Sequence, residues 1–222
     1  MIPPFSKEQF FDVFVAYNTT LWPMQVLLLG LAVAAVGAAF HRKAWAGKSI
    51  VAILASLWLW MAIGYHWSFF AEINPAARIF GGFFVLQALL LMLYGFRGSG
   101  LSFDPRLDLY GIVGGALIIY ALVVYPIVGT ALGHGYPAQP TFGLPCPTTI
   151  FTAGVLLWAK PPIPWALIAI PIGWSIVGMS AVRYFGVFED ALLPIAAIAA
   201  GVLIMVKNRR YHATSAVVKA NI

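Results

Sequence analysis

The chain has 222 residues, 62% of them hydrophobic and only 9% charged. A soluble domain carries about 25% charged residues, so water is excluded as the solvent for most of this surface. The formal charge of +6 does not mark a nucleic-acid binder, because the basic residues fall in loops between apolar blocks, where they orient a membrane protein. The blocks approach the roughly 17–25 residues needed to cross a bilayer. The ten-residue alternation of a membrane barrel is absent, and lipid forbids unpaired backbone. The expectation is therefore an all-α, polytopic transmembrane bundle forming a single domain over 1–222, with the lipid bilayer as its partner and no nucleic acid.

Ser6 with Gln9 three residues later is a capping-box pattern, and Phe10, Phe11, Phe14 and Val15 follow on one helical face. Residues 6–18 are read as an amphipathic helix lying on the membrane surface. No cleavable signal is read, since Lys7 is followed by Glu8 and Asp12 and no small-residue cleavage site follows a short apolar region. Trp22-Pro23 opens the first span, 22–40, with Trp at the interface and Pro in the first helical turn. After the basic loop His41–Lys48, the second span covers 49–70. Asn74 and Pro75 are expected to cap and open the third, 75–94. The fourth, 109–132, carries Pro126 as a kink and two small-xxx-small faces, Gly111 with Gly115 and Gly129 with Gly133.

A loop from Gly133 to Pro147 without Lys, Arg, Asp or Glu leads to the fifth span, 148–159. At about 1.5 Å per residue its dozen residues reach roughly 18 Å, short of the roughly 30 Å hydrocarbon core. Either the bilayer thins there, or the Pro-Cys-Pro turn dips into a protein-lined pocket. The sixth span is 165–182, with Pro171 inside it, the seventh 191–206, and 207–222 a basic tail.

With the N-terminus outside and the C-terminus cytoplasmic, the cytoplasmic side holds Arg42, Lys43, Lys48, Arg97, Arg106, Lys160, Lys207, Arg209, Arg210 and Lys219. The outer side holds only Lys7, Arg78 and Arg183. Seven crossings thus satisfy the positive-inside rule, whereas a re-entrant fifth segment would place the basic tail outside. A three-plus-one-plus-three parallel repeat is compatible with this count. Its support is two short matches: Pro23 and Pro147 each stand seven residues before a Gly, and Ile63-Gly-Tyr65 parallels Ile172-Gly-Trp174.

The outer side gathers the candidate chemistry. Cys146, the only cysteine, cannot form an internal disulfide. Beside a helix start it can be a thiolate, anion or soft-metal site, with Thr148 and Thr149 adding hydroxyls. The plain alternative is a rigid turn with an inert thiol. His66, inside a span, is a binding candidate or a packing group. Gln87, at mid-membrane depth, is a ligand group or a helix-to-helix hydrogen bond. Glu72 is a candidate that can instead pair with Arg78. Glu189 and Asp190 suit a helix start. His66, His134 and Cys146 are the candidate metal ligands, although none of the usual close ligand spacings is present. His41 and His212 lie on the other face. A phosphate-binding loop, HExxH and GxSxG are absent. Lys207 sits too late to carry retinal, and the histidines are too few for a zinc amidohydrolase of the ceramidase type.

The segments Phe10-Phe-Asp-Val-Phe14, Trp58-Leu-Trp-Met61, Phe70-Ala-Glu-Ile-Asn-Pro-Ala-Ala77 and Gly143-Leu-Pro-Cys-Pro-Thr-Thr-Ile-Phe151 resemble an uncharacterised family of bacterial multi-pass membrane proteins, a domain of unknown function. The resemblance covers nearly the whole chain. It implies a bacterial inner-membrane location and carries over no cofactor or functional residue. Three classes of function stay open: transport or permeation of a small solute or ion, an accessory or assembly subunit of a larger membrane complex or homo-oligomer, and an intramembrane thiol- or metal-dependent enzyme.

Overall fold

The computed structural model describes residues 4–41, 43–98 and 100–220; Arg42, assigned above to the cytoplasmic loops, lies outside them. Among the described residues there are eight helices and no strand beyond isolated bridges. They are α1 (Lys7–Thr20), α2 (Trp22–Ala39), α3 (Ala44–Trp60, continued by Met61–Phe70 and Ala71–Ile73), α4 (Ala77–Phe96), α5 (Leu109–Ala131), α6 (Pro145–Trp158), α7 (Ala166–Phe185) and α8 (Leu192–Ala220). Six of these are long and apolar enough to cross a membrane, and α6, with 14 residues, is the short exception. Val26, Ile79, Ile176 and Ile195 are each more than 60% exposed, a surface suited to lipid rather than water.

The short helix is the centre of the bundle. Pro145 and every residue from Pro147 to Trp158 are buried, and Cys146 is half-buried. Helix α6 packs on α5, α7 and α8, and Trp58 of α3 donates its indole N–H to Thr152 at 3.0 Å. About 21 Å of helix is shorter than the hydrocarbon core, but a helix jacketed by protein has no mismatch with lipid to satisfy. The close approach to α5 is made by Gly114 and Gly154: a Cβ on either would stand 2.7 Å from the other's carbonyl oxygen. The small-residue face expected at Gly111 and Gly115 is therefore rotated by one position. Gly115 meets only ordinary contact, and the Gly111 carbonyl accepts the Trp158 indole N–H at 3.0 Å.

Helix α6 starts three residues earlier than expected, which places Cys146 within its first turn. Helix α8 does not stop at Val206 but continues through the basic tail. Asn74 does accept a backbone N–H, from Ala76 at 3.1 Å, yet α4 begins only at Ala77. Helix α1 forms with the expected capping box, Gln9 N–H to Ser6 Oγ at 3.2 Å and Ser6 N–H to Gln9 Oε1 at 2.8 Å. Its buried stripe is Phe10, Val13, Phe14, Tyr17 and Asn18, and the four apolar residues of it pack against the bundle with Tyr65, Phe70, Leu144 and Phe185.

The bundle has two unlike ends. At the Lys207 end, the Lys207 ammonium donates to the carbonyls of Leu157 and Ala159, each at 2.8 Å, and so terminates α6. Asp104 N–H donates to the Trp158 carbonyl and Lys160 N–H to that of Ser102, both at 2.8 Å. Asp104 also binds Arg106 at 2.8 Å and Lys160 at 3.7 Å. At the Cys146 end the helices leave a cavity between them.

Candidate functional site

Under α1 lies a cavity of about 250 Å³. Three helices widen to π geometry on reaching this end: Met61–Phe70 in α3, Tyr120–Val124 in α5 and Ala181–Phe185 in α7. The α5 segment ends two residues before Pro126, which has no N–H to return to the preceding turn. Wide turns re-aim side chains and recur at functional sites. Here they bring Tyr65, Tyr125, Ala181 and Phe185 around the head of α6.

Pro145 and Pro147 suit a first helical turn because neither has an N–H needing a partner. Thr148 N–H already returns to the Leu144 carbonyl at 3.3 Å. Cys146 is thus left with the one free amide among the first three residues of the helix, a poor anion cradle. Gly178 faces the thiol, where a Cβ would make ordinary contact at 3.7 Å from the sulfur; the close approach at Gly178 is to Leu193 Cδ2, at 2.6 Å. Its charged neighbour is the Asp190 carboxylate, which lines the same cavity. Reactive thiolates occupy electropositive surroundings, and these are the reverse.

Asp190 and Glu189 sit on the 3₁₀ turn Phe188–Ala191 and are 2% and 0% exposed. Tyr125 donates its hydroxyl to Asp190 Oδ1 through a short hydrogen bond. Glu189 turns the other way and meets His134 Nδ1 at 3.0 and 3.2 Å, while its carbonyl accepts the Tyr120 hydroxyl at 2.8 Å. Gly129 packs closely there: a Cβ would stand 3.0 Å from Glu189 Oε1, and the carboxylate would have to shift. His134 is clamped between Glu189 and the Phe11 ring, 4.8 Å away.

The other candidates separate. His66 is fully buried with no hydrogen-bond partner at either ring nitrogen. It lies outside the cavity behind Trp174, ring centroids 5.2 Å apart. Trp174 lines the cavity, and its indole N–H is likewise unpartnered. Thr148 Oγ1 accepts the Gly143 N–H at 3.1 Å and locks the turn before α6; Thr149 is buried with an unpartnered hydroxyl. Gln87 joins α4 to α7 by donating to the Leu167 carbonyl at 2.9 Å. Glu72 is exposed and forms no ion pair with Arg78, whose carbonyl instead accepts the Trp67 indole N–H at 3.1 Å. His66, His134 and Cys146 do not converge, and among the described residues no group of three or more His, Cys, Asp or Glu is placed to hold a metal ion.

Residues of equal weight carried no signal in the sequence. Asn18 donates to the carbonyls of Pro137 and Gln139 at 2.6 and 2.8 Å. It accepts from Gln25 and Thr141 at 2.7 and 2.8 Å, so one side chain staples the loop after α5 to α1 and α2. Its position four residues after Phe14, on the buried stripe, was the only available cue. Tyr17, whose phenol burial pushes up to about 12, stays neutral and accepts the Trp60 indole N–H at 2.8 Å.

A family model described as a family of unknown function, DUF6064, matches residues 7–215, and the chain belongs to that family. No curated protein and no solved structure matches it.

Proposed function

We propose that this member of the family is a bacterial inner-membrane protein that crosses the bilayer seven times and binds a small solute in the Cys146-end cavity for passage through the bundle. The observation that carries the reading is the cavity itself: a partly open, mostly apolar hollow rich in aromatic rings, holding a buried carboxylate, covered by α1 and lined by the widened segments of α3 and α7. Pockets with few polar groups in apolar walls are the usual form of small-molecule sites. Beneath it, α6 is buried along its length among its neighbours.

Helix α6 begins at the end where α5 and α7 finish and ends where α7 begins, which supports counting it as a crossing. The basic residues of the Lys207 end then favour that end as cytoplasmic, leaving the N-terminus and the cavity outside. Triplets α2–α4 and α6–α8 run in the same alternation on either side of α5, as a three-plus-one-plus-three repeat needs. Their packing differs, however, because α7 and α8 both grip α6.

The test is efflux from liposomes containing the purified protein and loaded with a mixture of small amines, amino acids, sugars and inorganic ions. At least one solute is expected to leave faster than from protein-free liposomes, and Asp190→Asn is expected to slow it. If every solute leaves at the protein-free rate, the transport reading fails.

A further inference from the structure

Resting on the reading that the cavity holds a small molecule, we infer that its ligand is a monovalent organic cation, an ammonium or quaternary nitrogen on a compact apolar body. The walls supply the first argument. Phe10, Phe14, Tyr65, Phe70, Trp174 and Phe185 all line the cavity, and aromatic faces carry negative quadrupole density that attracts a desolvated cation.

The second argument is charge. Asp190 is the one charged residue among the described residues that line the cavity, with no Lys or Arg beside it. It is 2% exposed, and its partners Tyr125 and Cys146 are neutral donors. A buried carboxylate is costly until a cation meets it. Lys7 lies over the Phe11 ring and Arg183 over that of Tyr184, a lining residue, both at 5.8 Å, and neither cation itself lines the cavity.

Third, the alternative charge is disfavoured. An anion would have to use the helix start, where two prolines remove donors, and would stand next to Asp190. The size also discriminates, since about 250 Å³ lies below the roughly 300–1,000 Å³ of pockets for drug-sized ligands. The apolar body has a second hollow within reach. A groove between α4 and α7 that reaches the surface at Phe83 and Gly173 shares Phe80, Trp174 and Val177 with the cavity, so these three side chains divide the two hollows.

The test is saturable binding of radiolabelled benzyltrimethylammonium to the full chain in nanodiscs, with empty nanodiscs subtracted. Its neutral isostere, neopentylbenzene, is measured alongside. The cation is expected to bind at least about tenfold more tightly than the isostere. Asp190→Asn should remove most of that preference and leave the isostere unchanged. Phe185→Leu, which keeps the apolar volume but removes one ring, should weaken the cation several-fold and not the isostere. Equal affinities for the two probes, or a preference untouched by both substitutions, would overturn the cation inference and leave a binding cavity standing. Failure of both probes to saturate would overturn the binding reading with it.

Discussion

The two ends of α6 face opposite chemical demands. At the Lys207 end the last carbonyls are partnered: one ammonium donates to those of Leu157 and Ala159, and the 102–104 and 158–160 segments exchange backbone bonds. At the Cys146 end the first turn has few donors to satisfy. Its neighbours widen, and Trp174, Thr149 and His66 hold polar atoms that bond to nothing in the protein. Of these only Trp174 lines the cavity, and Gln87 Oε1 is unpartnered as well; each such group costs free energy. One helix thus joins an anchored end to an end kept open.

That contrast can be broken from either side. The largest effect is expected at the shared middle. Gly154→Leu drives a side chain into the Gly114 backbone, and overpacking of this kind should cost about 3 kcal/mol, read as an earlier unfolding midpoint on titration with SDS in mixed micelles. Lys207→Met comes next. It strips the donor from two carbonyls, a loss of about 2 kcal/mol, measured the same way, and it should leave benzyltrimethylammonium binding intact. The smallest change belongs to Trp174→Phe at the open end. The lost N–H made no hydrogen bond, so stability should stay within about 1 kcal/mol of the unsubstituted protein. A large loss there would show that the Cys146 end is as structurally committed as the other.

Much of this was legible in the residues, for identifiable reasons. Apolar blocks bounded by Trp22-Pro23 and by basic loops place the long helices to within a few residues, since lipid leaves a helix few alternatives. The capping box at Ser6 and the shortness of the segment after Cys146 are local signals, and local signals read well. What Phe10 and Phe14 pack against is not local: a stripe that suits a membrane surface suits a protein surface equally. The enclosure of α6 was hidden because lipid-facing and protein-facing apolar residues are alike in composition. Charge concealed the length of α8, whose last turns are basic yet helical. Asp190 meets Tyr125 across 65 residues and Glu189 meets His134 across 55, so both carboxylates look like ordinary helix-start residues until the bundle closes. The π segments have no sequence signature of their own.

The direct test is which side of the membrane each end of α6 occupies. In a Cys146→Ser background, single cysteines replacing Lys7 or Arg209 would be treated with a membrane-impermeant maleimide in intact cells permeable only at the outer envelope. Seven crossings with α6 among them require Lys7→Cys to react at once and Arg209→Cys only after the inner membrane is opened. Reaction of both positions from the same side would contradict that and leave α6 without a crossing.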